Sequence, residues 1–210
     1  MGTGVHQTAL CHNAIVRVVL ISTYEMGRQP FGLASPAAWL RREGAEVTAL
    51  DLSRQRLDEP AVTAADVVAF YLPMHTATRL ALPVIDRVRA LAPAARLCAF
   101  GLYAPPNVGL LRAKGVLAAF GAEFEANLVA FAAQQDAPAS VGATPEAPGA
   151  KTVVARLTFI PPDRAGLPPP QRYATLQDGG TRRVAQHRRV YRSQPRLPVP
   201  LPALPGRADL

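Results

Sequence analysis

Three short stretches carry the side chains best able to meet a ligand: Ser22-Thr23-Tyr24-Glu25, Pro73-Met74-His75-Thr76 and Gly101-Leu102-Tyr103. From them Thr23, Tyr24, His75, Thr76, Gly101 and Tyr103 are taken as candidate cofactor-binding residues. His75 is the only histidine within residues 15–133. Its imidazole can ligate or carry a proton, or it can simply hydrogen-bond its loop neighbours. Tyr24 and Tyr103 offer flat faces that either stack on a ligand or close a sheet edge. No catalytic residue and no metal ligand set is expected. His6, Cys11 and His12 have donor atoms without ligand spacing, and Cys98 falls inside an apolar run, where a thiol packs rather than reacts.

Familiar phosphate-binding patterns are absent around these stretches. The loop over residues 23–33 contains Gly27, Arg28, Gln29, Pro30 and Gly32, but its glycines lack the GxGxxG spacing and no GxxxxGK[ST] follows. Nicotinamide and nucleoside-triphosphate readings lose their main support. A response-regulator reading also fails, because the first apolar run ends in Ser-Thr-Tyr without the paired acids of a magnesium site.

The elements that must position these residues follow from hydrophobic patterning. Residues 15–22, 66–72 and 95–101 are continuous apolar runs of the kind buried on both faces of a parallel sheet. Ser35-Pro36 reads as an N-cap with proline at the first helical position, opening a helix over 37–43 that Gly44 ends; residues 46–51 form a second strand. Thr76 reads as the cap of a helix whose face is Leu80, Val84, Val88 and Leu91, with Pro83 as a possible kink. Residues 107–114 predict a helix, 116–120 a short strand, and 123–133 a helix with Phe124, Leu128 and Phe131 on one face. The alternation predicts an α/β, doubly wound parallel sheet, flavodoxin-like in strand order, with a single turn between the second and third strands. Ligands of such sheets bind beyond the carboxyl ends of the strands where the order reverses, which is where the candidate residues fall.

Beyond this domain over residues 15–133, the sequence divides into a leader over 1–14, a Pro- and Ala-rich linker over 134–150, a connector over 151–184 whose first ten residues could add an edge strand, and a tail over 185–210. Charge is concentrated at the end. Seven arginines against one aspartate in residues 181–210 supply most of the net +8, in a stretch with no apolar period and no means of building a core. Nucleic acid is therefore not the expected partner. Two cysteines, Cys11 and Cys98, cannot frame disulfides or a zinc knuckle. No run approaches the roughly 20 apolar residues of a membrane span, so a cytoplasmic protein without membrane contact is expected.

The segment from Arg28-Gln29-Pro30-Phe31-Gly32-Leu33 through Leu40-Arg41-Arg42-Glu43-Gly44-Ala45-Glu46-Val47 to Asp51 resembles the first loop, helix and second strand of the cobalamin-binding-type domain found at the N-terminus of many radical SAM enzymes. Asp66-Val67-Val68-Ala69-Phe70, Ala90-Leu91-Ala92-Pro93 and Gly121-Ala122-Glu123-Phe124-Glu125 are similar to later parts of that domain. More narrowly, Tyr24-Glu25-Met26-Gly27-Arg28 and Tyr71-Leu72-Pro73-Met74-His75-Thr76-Ala77-Thr78-Arg79 resemble the radical SAM family with a CUAEP/CCAEP tail. The match covers residues 15–185, with Pro161-Pro162-Asp163-Arg164 and the stretch to Tyr173 looking like the connector to a catalytic barrel.

The resemblance implies cobalamin as a bound cofactor, with S-adenosylmethionine and a 4Fe-4S cluster in the catalytic part. Two departures qualify it. No CxxxCxxC cluster follows the connector, so the iron–sulfur ligands are absent, and the DxHxxG cobalamin motif is missing, since Asp51 is followed by Leu52 and Ser53. The expectation is a cobalamin-binding-type domain that is not catalytically competent alone, its barrel lost through a frameshift or early stop in a GC-rich gene. The alternative is a stand-alone α/β small-ligand or partner-binding module without enzymatic activity.

Overall fold

The computed structural model describes residues 15–121, 123–133 and 160–174. The leader, the linker, the edge strand suggested for 151–160 apart from its last residue, the connector past 174 and the basic tail lie outside the described residues.

Five strands form one all-parallel sheet: β1 (Arg17–Ser22), β2 (Glu46–Asp51), β3 (Val67–Tyr71), β4 (Arg96–Phe100) and β5 (Ala118–Phe120). Their order is β2-β1-β3-β4-β5, the flavodoxin-like arrangement, and the order reverses between β1 and β3. The central strands are apolar runs because helices cover both faces. On one face α1 (Phe31–Arg42) and α5 (Glu125–Ala133) pack over Val18, Leu20, Ala49, Ala69, Cys98 and Phe100. On the other, α2 (Glu59–Thr63), α3 (His75–Leu91) and α4 (Val108–Ala113) pack over Val19, Ile21, Val68, Phe70 and Leu97. Cys98 is fully buried in β4, where burial pushes its thiol up, out of reach of nucleophilic use. Among the described residues no helix is long and apolar enough to cross a membrane.

Three helix assignments differ from the sequence expectation. The first helix begins at Phe31, capped by Pro30, so Ser35 and Pro36 are interior residues rather than cap and first turn. Leu33, Ala34, Ser35 and Pro36 are all buried, and this packing outweighs the donor that Pro36 removes. The Ser35 hydroxyl, freed from capping, donates to Glu125 Oε1 at 2.7 Å and ties α1 to α5. In α3 the N-cap is Met74, not Thr76, and the buried face is Ala77, Ala81, Ile85 and Val88, while Leu80 is 47% exposed. In the first turns small residues, Ala77 and Ala81, face the sheet and Leu80 turns outward; farther along, Val84 and Leu91 of the expected face pack partly buried against the same core as Val88. The linkage between the second and third strands is not a bare turn: Asp58 accepts from the Ala61 amide at 3.0 Å and, with Pro60 in the first turn, starts α2.

Gly101 ends β4 with φ of 108°, and a Cβ there would sit 2.7 Å from the Leu72 carbonyl oxygen. Both the backbone conformation and the close approach demand glycine. Gly101→Ala is expected to cost at least about 2 kcal/mol in urea unfolding, from strain plus overpacking. A loss below about 0.5 kcal/mol would show that the end of β4 relaxes freely.

Candidate functional site

The register of the sheet sets out the floor of the carboxyl edge. The last residues pair across four strand boundaries in the row Asp51, Ser22, Tyr71, Phe100, Phe120. Paired residues of parallel strands share a face, and these share the α1 and α5 side, with Leu20 and Ala69 two residues before them. The row changes from polar over β2 and β1 to aromatic from β3 onward, so the switch point between β1 and β3 falls on that boundary.

Each polar member has a distinct state. Asp51 is fully buried, and its Oδ1 accepts from the Ser53 amide at 3.0 Å and the Ser53 hydroxyl at 2.7 Å. Its Oδ2 accepts from the Tyr173 hydroxyl at 2.8 Å. Ser22 is fully buried too, yet its Oγ has no hydrogen-bond partner among the described residues. Glu25 lies in the loop after β1, behind a tight turn in which Met26 and Gly27 both take positive φ and the Arg28 amide donates to the Glu25 carbonyl at 2.8 Å. Its Oε2 is likewise buried without a partner. Burial pushes the Glu25 carboxyl up; Arg28 opposes that shift and Asp51 adds to it. Tyr71 presses its ring on α1 at Gly32, leaving no room for a Cβ there, and stacks obliquely on Phe100 at 5.4 Å. Burial, then Glu25 and Glu125, push its phenol upward.

Residues 160–174 close the β2 side of this edge. The Asp163 amide donates to the Ala34 carbonyl at 2.9 Å, and the Asp163 carboxylate pairs with Arg41 at 2.7 Å. Gln29 Nε2 donates to the Pro168 carbonyl at 2.9 Å, and its Oε1 accepts from Arg164. Arg172 donates to the Arg54 carbonyl at 2.8 Å, and the Ala174 amide to the Gly27 carbonyl at 2.8 Å. Tyr173 is the buried anchor of this strap, with the Arg54 guanidinium 5.5 Å from its ring.

The structure separates the six expected site residues into two kinds. Thr23 and Gly101 are used internally: the Thr23 hydroxyl donates to the Ala77 carbonyl at 2.8 Å, fastening β1 to the first turn of α3, and the Gly101 amide donates to the Phe120 carbonyl at 3.0 Å. Tyr24, His75, Thr76 and Tyr103 stand on the loops and helix start that follow β1, β3 and β4, forming an accessible rim. His75 is the first residue of α3 rather than a loop residue, and the first turn of that helix holds no acidic side chain. Met26, Leu102 and Tyr103 are exposed on the same edge. Ser22, Glu25, Asp51, Tyr71 and Tyr173 were not chosen from sequence as site residues. Among the described residues no three His, Cys, Asp or Glu side chains cluster as a metal site.

No protein-family model matches the chain, and no curated protein matches it. Among solved structures the chain is similar to a response regulator from Thermotoga maritima, at 12% identity and a TM-score of 0.40, over 56% of this chain and 94% of that one. A likeness of that strength carries no functional argument, and the assignment of fold rests on strand order and register.

A buried carboxyl whose folded-state value lies above the ordinary 4.5 binds its proton more tightly folded than unfolded. Its favourable contribution is complete below pH 4.5 and disappears as pH rises through the folded-state value. Glu25→Gln is therefore expected to raise stability at pH 7 and to flatten the decline expected of wild type above pH 4.5 in urea titrations; an unchanged slope would remove Glu25 as its source. Tyr173→Phe is expected to cost about 1–3 kcal/mol, because an Asp51 oxygen loses its buried donor. Amide exchange at Asp163 and Ala174 should accelerate with it, and unchanged exchange would show that the strap holds without this bond.

Proposed function

We propose that this chain is a ligand-binding α/β module, the cobalamin-binding-type domain of a radical SAM protein, and not itself a radical catalyst. The observation that supports it best is the β2-β1-β3-β4-β5 order, which brings the loops of the family-like segments 24–33 and 71–79 to one switch point at the carboxyl edge.

The implied groups fare differently against these residues. A 4Fe-4S cluster that leaves one iron open needs three thiolates. This chain has two cysteines, one of them sealed inside β4, so the cluster does not fit and no step is assigned to it. Cobalamin fits the rim better. The exposed His75 imidazole, the Tyr24 and Tyr103 rings, and the apolar Met26 and Leu102 side chains offer a donor and a broad surface for a flat macrocycle. The free amides at the start of α3 favour an anionic group beside it. When bound, cobalamin would supply cobalt-centred chemistry; the chain's own residues would bind and orient it.

A second reading, a stand-alone partner-binding module, draws on the same exposure: Leu102 is 67% and Met26 55% exposed. The two readings part in one experiment. Purified protein incubated with hydroxocobalamin is expected to carry it through gel filtration with an altered absorbance spectrum, and His75→Ala is expected to weaken retention several-fold. A free-cobalamin spectrum with no retention would overturn the cobalamin assignment.

A further inference from the structure

We propose that residues 160–174 are an intramolecular peptide ligand, a latch that detaches as one unit from its groove while the sheet stays folded and so opens the β2 side of the carboxyl edge. Its bearing on ligand entry rests on the reading of that edge as the ligand face. The groove is lined by α1 at Ala34 and Arg41, by Asp51 at the end of β2, and by Gly27, Gln29 and Arg54 in the loops after β1 and β2. The contacts in it are those of a bound peptide. Only Pro168 and Tyr173 of the segment are buried, and its one regular element is the turn Pro170–Arg172. Main-chain groups make much of the attachment: the Asp163 and Ala174 amides donate to the Ala34 and Gly27 carbonyls, and the Ala165 and Pro168 carbonyls accept from Arg41 and Gln29. Two side-chain anchors fix the register, the Asp163 carboxylate on Arg41 and the Tyr173 hydroxyl on Asp51. Main-chain pairing for affinity and spaced side chains for register is the way a groove holds an extended peptide.

A segment held this way leaves at little cost in apolar contact, which puts it at the low end of the range of local stabilities. The balance is close for a second reason. Closure gives Asp51 Oδ2 a donor at 2.8 Å, yet the Arg54 guanidinium 5.5 Å from the Tyr173 ring keeps its Nε buried with no hydrogen-bond partner among the described residues. The bond to Asp51 favours the closed position, and the desolvated Arg54 donor favours release. Opposed contributions at one residue are what a two-position element requires.

Opening bares groups that the closed strap occupies. Asp51 keeps Ser53 on Oδ1 but frees Oδ2, beside Ser22 in register. Gln29 is released at both ends of its amide, and Arg41 loses the Asp163 carboxylate. A carboxylate oxygen, an amide and a guanidinium thus become available to a ligand only when the strap has left. Strap and ligand compete for the β2 side of the edge.

The test follows amide hydrogen exchange in the full 210-residue chain. The Asp163 and Ala174 amides, at the two ends of the strap, are expected to share one opening equilibrium. Both should be at least about 100-fold less protected than the Leu72 amide, which donates to the Phe100 carbonyl at 2.7 Å, and should respond less steeply to urea. Asp163→Asn removes the charge at one end, and it is expected to raise exchange at Ala174 by the same factor as at position 163, about twofold to fivefold once intrinsic rates are allowed for. Tyr173→Phe should raise both by about tenfold or more. Strap amides as protected as Leu72 in wild type, or a change at one end that leaves the other unmoved, would overturn the latch; the wild-type comparison requires no variant to fold. Ligand entry is read separately, because uptake of hydroxocobalamin should quicken in Tyr173→Phe by about the factor found at the strap amides. Uptake at the wild-type rate would overturn the competition between strap and ligand. Cobalamin retained by neither protein would overturn the cobalamin reading alone, with the latch decided by the exchange result.

Discussion

Strand β1 is paired with β2 from Arg17 to Ser22 and with β3 from Val18 to Ser22, and helices lie above and below it. It has no free edge and no wet face, so its residues from Val18 to Ile21 must be apolar, and they are at most 2% exposed. The strand still has to end. Its last residue is a serine with no exposed surface, flanked by an aspartate and a tyrosine in register, and everything that distinguishes the carboxyl edge is arranged around that transition from apolar interior to polar rim. The β1 loop turns back at Met26 and Gly27, the first helix starts early enough to place Gly32 under Tyr71, and the strap reaches in to satisfy Asp51.

The strap shows how a proline-rich segment without regular structure acquires a fixed place. Its backbone donates at Asp163 and Ala174 and accepts at Pro168, so it is tied at both ends and near the middle. The ion pair of Arg41 with Asp163 is partly exposed and contributes about 1 kcal/mol or less. The Tyr173 bond to a buried carboxylate is the dominant contact, because breaking it strands a charged acceptor in the interior. The same contact explains why Asp51 tolerates complete burial: three donors replace the water it gives up.

Much of this was legible in sequence because it depends on local pattern. Three continuous apolar runs, two shorter strands and the helical spacing between them specify a parallel sheet, and the reversal of strand order at β1 and β3 follows from that class of fold. Helix starts were harder. Ser35-Pro36 carries every local mark of an N-terminus, but the tertiary reward for burying Leu33 and Ala34 extends α1 backward past it. The face of α3 was legible at Val88, and at Val84 and Leu91, which pack against the same core, but missed at Leu80, because close packing of the first turns on the sheet selects Ala77 and Ala81. Of the site, the strand-end loops were recoverable by rule, but Tyr173 was not. Its partner Asp51 is 122 residues away in sequence, and nothing in either local context announces the contact.

The two sides of the switch point are unequal in a way that bears on function. On the α3 side, Thr23 resembles Ser22 in chemistry and differs by one position, which turns it to the opposite face, and its hydroxyl is satisfied by the Ala77 carbonyl. On the α1 side, Ser22 and Glu25 keep unpartnered polar atoms in a buried setting beside a carboxylate that has recruited three donors of its own. A sequence selected only for stability would resolve this by alanine at position 22 and a neutral side chain at 25, since apolar replacement of an orphaned polar group is neutral or favourable. Buried polar atoms without partners among the described residues recur along this edge, at Ser22 Oγ, Glu25 Oε2 and Arg54 Nε, and such local departures from consistency concentrate where a molecule binds.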